Sequence, residues 1–166
     1  GDGVDNVGVR RDVGGDGKFF LDTNGGGDPE IAFVFGSISD IPLVGNWDGD
    51  ADDNRGVVRN VSGGFRWFLA DDAGAVATDY AFGQAGDIPI IGDWDDDGDD
   101  DPGLVRPTNG ALKYYLDPNH DGSTGLIVFT FGTEGQDTAL SCNFSGLGDE
   151  IGVARPLALA LLRVVE

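Results

Sequence analysis

Two short stretches concentrate oxygen donors at alternate positions. Numbered from Asp93, positions 1, 3, 5, 7 and 9 of "DWDDDGDDD" are Asp93, Asp95, Asp97, Asp99 and Asp101. Numbered from Asn46, the same positions of "NWDGDADDN" are Asn46, Asp48, Asp50, Asp52 and Asn54. Alternate spacing lets a curling backbone aim every second side chain at one point. Hard cations such as Ca2+ take six to eight oxygens at about 2.3–2.6 Å, mixing carboxylates, amide oxygens, a backbone carbonyl and water. A bound dication turns the mutual repulsion of such carboxylates into attraction. Position 7 of such a loop gives its main-chain oxygen, which leaves the side chains of Asp52 and Asp99 as spectators. Mg2+ fits less well, since it keeps several waters. Position 12 is Val57 or Leu104, not the bidentate Glu of an EF-hand, and β-forming residues follow instead of a helix. The sixth position is Gly98 in one loop and Ala51 in the other. A positive φ there would cost Ala51 roughly 1–2 kcal/mol.

Weaker copies flank these two. At the start of the chain Asp2, Val4 (through its carbonyl) and Asn6 fall at positions 5, 7 and 9. Near the end, "NFSGLGDE" is one residue short and places Leu147 where an aspartate is wanted, so no metal is expected there. A separate "DPNHDG" offers Asp117, Asn119 and Asp121, and "DTNGGGD" (22–28) is a looser version. Asp, Asn and Gly also simply make turns. Two calcium sites are therefore expected, with further partial ones.

The loops belong to a repeat that must position them. "DIPLVGNWDGDADDNRGVVRN" (40–60) lies over "DIPIIGDWDDDGDDDPGLVRP" (87–107) with no gap and a shift of 47 residues. Each unit supplies four short β-segments. They are an apolar run ending in Trp or Phe (41–47, 88–94, 138–144), a Gly-Val-Arg run (7–11, 55–59, 102–106, 151–155), an aromatic run (18–22, 66–70, 113–117) and a run ending in Phe-Gly (31–35, 77–82, 126–131). Units of this length with four strands suggest propeller blades. The expected fold is all-β, about three four-stranded antiparallel blades plus partial terminal units: 1–37 (partial), 38–84, 85–133 and 134–166 (degenerate, partial). A β-sandwich is the alternative, although its strands would not recur at a fixed spacing. Phe65, Trp67 and Leu69 should point to one face, and Arg66 and Phe68 to the other. Large side chains on both faces suit a sheet packed between neighbours.

Composition narrows the partners. The chain has 166 residues, 30 acidic against 10 basic, and a formal charge of −20. Nucleic acid and anionic membranes are disfavoured, because phosphate binding needs clustered Lys and Arg. No stretch is long enough to span a bilayer as a helix. The same charge would suit a salt-loving protein, but there the acids would be spread over the surface and not clustered at matching repeat positions. One cysteine, Cys142, replaces Gly45 and Gly92 of the other units and reads as a small buried thiol; it rules out an internal disulfide. No methionine is present, so a processed product or a piece of something longer is expected.

With "FGQAGDIPIIGDWDDDGDDDPGLVRP" (82–107) and "FGSISDIPLVGNWDGDADDNRGVVRN" (35–60), the chain resembles the FG-GAP or VCBS-type repeats of integrin-α-like β-propellers of bacterial and archaeal surface proteins. With the aromatic runs added, the likeness covers nearly the whole length. It implies a propeller blade with Ca2+ in the loop between its first and second strands, an extracellular or cell-surface setting, and a role in adhesion or architecture. Ala51, the loop around Leu147, and a C-terminal "LALALLRVVE" without an aromatic run depart from the pattern.

Catalytic signatures are missing. His120 is the only histidine, sits in a turn and has no nucleophile motif beside it. There is no P-loop, dinucleotide fingerprint or His-rich zinc site. Arg11, Arg59, Arg106 and Arg155 occupy one repeat position, and Lys18, Arg66 and Lys113 another. They are expected to pair with inter-blade carboxylates or to lie over the aromatic runs. Trp47 and Trp94 should be core, although aromatics can also stack on sugars. The expectation is a non-enzymatic, extracellular, calcium-binding structural or adhesive module. Its partners would be copies of itself joined head to tail into a filament, or other surface proteins or glycans. The alternative is a fragment of a larger propeller from a polysaccharide-active enzyme or a lectin.

Overall fold

The computed structural model describes residues 7–50, 52–142 and 149–156. Asp2, Val4, Asn6, Ala51, Leu147 and the C-terminal apolar run lie outside them. The described residues form thirteen strands and no helix. In chain order these are β1 (Val7–Val13), β2 (Asp16–Asp22), β3 (Ile31–Ser37), β4 (Ile41–Gly45), β5 (Asn54–Val61), β6 (Gly64–Ala70), β7 (Val76–Gln84), β8 (Ile88–Gly92), β9 (Asp101–Thr108), β10 (Ala111–Leu116), β11 (Ile127–Thr133), β12 (Thr138–Cys142) and β13 (Glu150–Ala154). All pairings are antiparallel between consecutive strands, giving sheets β1-β2-β3, β4-β5-β6-β7, β8-β9-β10-β11 and β12-β13.

Short-range chemistry explains the meander. Each second strand joins its third through a two-residue turn with both φ positive: Gly14-Gly15, Ser62-Gly63 and Asn109-Gly110. That geometry matches the twist of a hairpin, and glycine or a short polar residue adopts it at little cost. The aromatic runs alternate as expected. In β6, Phe65, Trp67 and Leu69 are buried. Phe68 faces the opposite way, into the layer holding Phe19, Phe35, Val57 and Ala70.

Three apolar layers separate the four sheets. Phe19, Phe33 and Phe35 of the first sheet meet Val57, Phe68 and Ala70 of the second. Val58, Phe65, Trp67, Leu69 and Phe82 meet Leu104, Ile91 and Tyr115 of the third. Val105, Leu112, Tyr114 and Leu116 meet Ala139 and Ile151 of the fourth. Neighbours Val57 and Val58 thus serve two different layers, as do Leu104 and Val105. Inner sheets are buried on both faces, which is why β5 and β9 carry apolar residues without alternation.

The crossing from one sheet to the next is the most regular feature. Gly36, Gly83 and Gly132 end the Phe-Gly runs at φ of 70°, 98° and 90°. A Cβ on Gly83 would sit 2.5 Å from Leu104, and one on Gly36 3.1 Å from Val57. Asp40, Asp87 and Asp137 then fold back, accepting the backbone N–H of Ser37 (2.8 Å), Gln84 (2.9 Å) and Thr133 (2.7 Å). The same carboxylates receive Arg59, Arg106 and Arg155 in two-pronged pairs of 2.6–2.9 Å. Arg59 also lies 5.0 Å over the Phe68 ring and Arg106 4.5 Å over Tyr115, so both expected roles are filled by one side chain. Arg11 lies over Phe20.

Cys142 departs from expectation. It is exposed at the end of β12. Gly45 and Gly92 at the same repeat position are buried because Trp47 and Trp94 fold back onto them, within 2.9 Å of where a Cβ would stand. The residue aligned with those tryptophans, Phe144, lies outside the described residues.

Candidate metal centre

The strands β4 and β8 stop two residues short of their tryptophans, and the acidic loops begin there. Both loops run from a first to a second strand, β4 to β5 and β8 to β9. Position 1 starts the curl. Asp93 accepts the N–H of Asp96 (2.7 Å), Asp97 (3.2 Å) and Gly98 (3.1 Å), while Asn46 Oδ1 accepts that of Gly49 (2.9 Å). Tight curling demands left-handed residues. Gly98 has φ 100°, as position 6 requires, and position 4 is also left-handed, with Gly49 at 70° and Asp96 at 62°. The 93–101 loop therefore carries its non-glycine strain at Asp96, a residue type that tolerates that region.

In the 93–101 loop, carboxylate oxygens of Asp93, Asp95 and Asp101 lie within 4.8 Å of one another. Positions 1, 3 and 9 thus converge. Asp97 and Asp99 are not members of that trio, although Asp97 adjoins Asp95 and Asp99 adjoins Asp101. Asp97 accepts the N–H of Asp99 (3.2 Å), and the two carboxylates lie close enough to act on one another. Burial, the hydrogen bond with Asp97 and the charges of Asp97 and Asp101 push Asp99 up to about 7. Asp95 is also raised, by desolvation and then by the charges of Asp101, Asp97 and Asp93. Such crowded acids favour either protons or a cation.

In the 46–54 loop the converging carboxylates are Asp48, Asp50 and Asp72. Asp72 comes from the β6–β7 turn and also accepts Asn54 Nδ2 at 3.1 Å. Asp50 caps the N–H of Asp52 (2.7 Å). Asn46 keeps its Oδ1 toward its own loop and donates from Nδ2 to Gly98 O at 3.3 Å.

The two loops are joined to each other. Asn46 N–H donates to Asp100 Oδ2 (2.8 Å), and Asp100 N–H donates to Asn46 O (2.5 Å). One repeat later Asp149 N–H donates to Asp93 O (3.2 Å). Each loop's tail therefore rests on the head of the preceding loop.

The third expected group is a self-satisfied turn. Asp121 accepts Ser123 N–H and Thr124 N–H at 2.8 Å each, and the hydroxyl of Thr124. Asn119 closes the turn by donating to Thr124 O (2.9 Å). Asp117 is fully buried, with one oxygen accepting Gly122 N–H (2.7 Å).

Sequence reasoning did not place Asp72 or His120 beside the loop acids. His120 Nε2 lies 3.0 Å from Asp101 Oδ1, while Asp101 Oδ2 accepts Trp94 N–H (2.8 Å). Burial pulls the imidazole down, but the hydrogen bond to Asp101 and the charges of Asp101, Asp99 and Asp117 outweigh it, so the ring holds its proton above the usual histidine range. Both residues sit in third-to-fourth-strand turns, where the two units differ in sequence.

Comparison with protein-family models, with curated proteins and with solved structures gives no match. Fold and site together define an all-β chain of successive antiparallel sheets whose acidic clusters can hold a metal ion.

Proposed function

We propose that the chain is a non-enzymatic, calcium-fastened repeat module of the FG-GAP/VCBS kind, a propeller-like stack of blades serving adhesion or architecture outside the cell. One observation carries this reading. In each of two successive sheets the loop between first and second strands contributes to a trio of neighbouring carboxylates: Asp48 and Asp50 with Asp72 of the β6–β7 turn in one, Asp93, Asp95 and Asp101 in the other. An acidic trio at this loop in both units, although drawn from different positions, favours a structural ion over a single catalytic pair. Three carboxylates completed by carbonyls and water suit the 10⁻⁴–10⁻³ M affinities of extracellular calcium modules. Direct approach of β4 to β8 and of β8 to β12 supports a propeller-like arrangement of the blades. The outer face of the first sheet carries Val9 and Phe20 where the second carries the covered Val57 and Phe68, which suits docking of another sheet of the same repeat.

Thermal unfolding with calcium and with a chelator tests the cage. Because the ion binds only the folded form, a hundredfold excess over Kd stabilises by about 2.7 kcal/mol. Asp95→Ala should abolish most of that gain, whereas Asp96→Asn, which removes the same charge but lies outside the trio, should keep it. Equal losses would point to bulk charge and end the cage reading.

A further inference from the structure

We propose that the chain binds a second copy of itself head to tail. The outer face of the first sheet, carrying Val9 and Phe20, would cover a groove on the third sheet of the next copy, lined by Trp94, Phe129 and Phe131. The proposal rests on the architectural role proposed above but does not depend on the calcium cage being filled.

Repeat positions that are covered between inner sheets lie open on these two surfaces. Phe35 and Phe82, at the ends of the Phe-Gly runs of the first two sheets, are 9% and 5% exposed, whereas Phe131, at the same position of β11, is 46% exposed. Val57 and Leu104 are 1% and 0% exposed, whereas Val9, at their position in β1, is 49% exposed. Phe20 aligns in turn with Phe68 and Tyr115.

The open positions are the two halves of a contact that the chain already makes twice. Between the first and second sheets, Phe33 and Phe35 share a layer with Val57 and Phe68. Between the second and third, Tyr80 and Phe82 share a layer with Leu104 and Tyr115. Phe129 and Phe131 correspond to the first half of that contact, and Val9 and Phe20 to the second. Ala139 and Ile151 cover part of the third sheet, but among the described residues the fourth sheet has only β12 and β13 and offers no counterpart of Phe68 or Tyr115. The groove beside Trp94, Ile127, Phe129 and Phe131 is left where that counterpart would sit. A second copy is therefore the occupant whose shape the chain itself demonstrates.

Charge supports the pairing. Arg11 and Lys18 lie 5.0 and 5.2 Å from the Phe20 ring, and Asp149 lines the groove. A knob on one surface and a groove on another make a heterologous contact, so each copy keeps a free face for the next.

Sedimentation of the unaltered chain over a range of concentrations tests this, in saturating calcium and about 1 M salt, where a Debye length of about 3 Å screens the repulsion between copies. Mass should rise with concentration. Val9→Glu and Phe131→Glu bury a charge in the contact, so each should weaken association about tenfold or more. Val61→Glu adds the same charge at a site 46% exposed on the second sheet and should not weaken it. Mixed in equal amounts, the two blocked variants should pair, since each keeps the face that the other has lost; misfolded chains would not rescue one another. An unaltered chain that stays monomeric, as it would if the groove served a small ligand such as a sugar, would overturn the proposal. So would equal association by all three variants, or blocked variants that stay monomeric when mixed. A chain whose unfolding ignores calcium yet associates through these faces would remove the cage reading and leave this one standing; a calcium-stabilised monomer would do the reverse.

Discussion

Replacing Asp87 by alanine tests how the sheets are fixed to one another. Its side chain is 1% exposed and holds three hydrogens: Gln84 N–H at 2.9 Å, and Arg106 Nε and NH2 at 2.7 Å each. Removing it orphans a backbone donor at the sheet crossing and leaves a guanidinium that is only 25% exposed without its counter-charge. Breaking a fully buried pair costs about 3–5 kcal/mol, and partial exposure of Arg106 lowers the expectation here to about 2–4 kcal/mol. Arg66 and Asp79 provide the internal control. That pair is also close, but both side chains are more than 40% exposed, so Asp79→Ala should cost about 0–1 kcal/mol. Urea titration at fixed calcium reads both, provided the m-value is unchanged between variants. On heating, Asp87→Ala should melt roughly 4–16 °C lower, at about 2–4 °C per kcal/mol for a chain of this size. A cost for Asp87→Ala within 0.5 kcal/mol of that for Asp79→Ala, using about that precision for such differences, would refute the idea that this carboxylate fastens sheet to sheet.

Two further outcomes follow from the same geometry. Gly83→Ala should cost about 1–3 kcal/mol more than Gly86→Ala in urea titration, because both have φ near 95° but only the former would press a Cβ against Leu104; equal costs would discount the close approach. In chelator, stability should peak in mildly acid solution. Asp99, raised to about 7 by burial and the Asp97 hydrogen bond, holds its proton more tightly folded than unfolded, so stability falls as pH rises from about 4 to 7. His120, also raised, acts in the same sense, its contribution being lost as pH rises through its folded value. Below about pH 4 the sign reverses. Asp121 and Asp137, drawn down to about 2 by Thr124 and Arg155, lose their contribution as they protonate. Melting temperatures that climb steadily from pH 4 to 8 in chelator would contradict this assignment.

Much of the fold was legible because its signals are local. The Phe-Gly, Gly-Val-Arg and aromatic runs each mark a strand, and two-residue turns join second strands to third. The apolar runs ended later in the sequence reading than in the structure, because Trp47 and Trp94 leave their strands to cover Gly45 and Gly92. The clustering of the loop acids was only partly legible. Positions 1, 3 and 9 of the second loop converge, but Asp97 turns to Asp99, and the first loop recruits Asp72. Cys142, read as a buried thiol, is exposed at the end of β12.

A repeated one-dimensional pattern was sufficient to determine strand order, antiparallel pairing and the two faces of each inner sheet, since period-two alternation and hairpin turns act over a few residues. The tertiary structure alone decided which carboxylate meets Arg59 or Arg106, that Asp100 of one loop rests on Asn46 of another, and that His120 reaches Asp101. Those contacts join residues 19 to 54 positions apart. Their partners are chosen by how successive sheets stack, and no local rule of spacing encodes that.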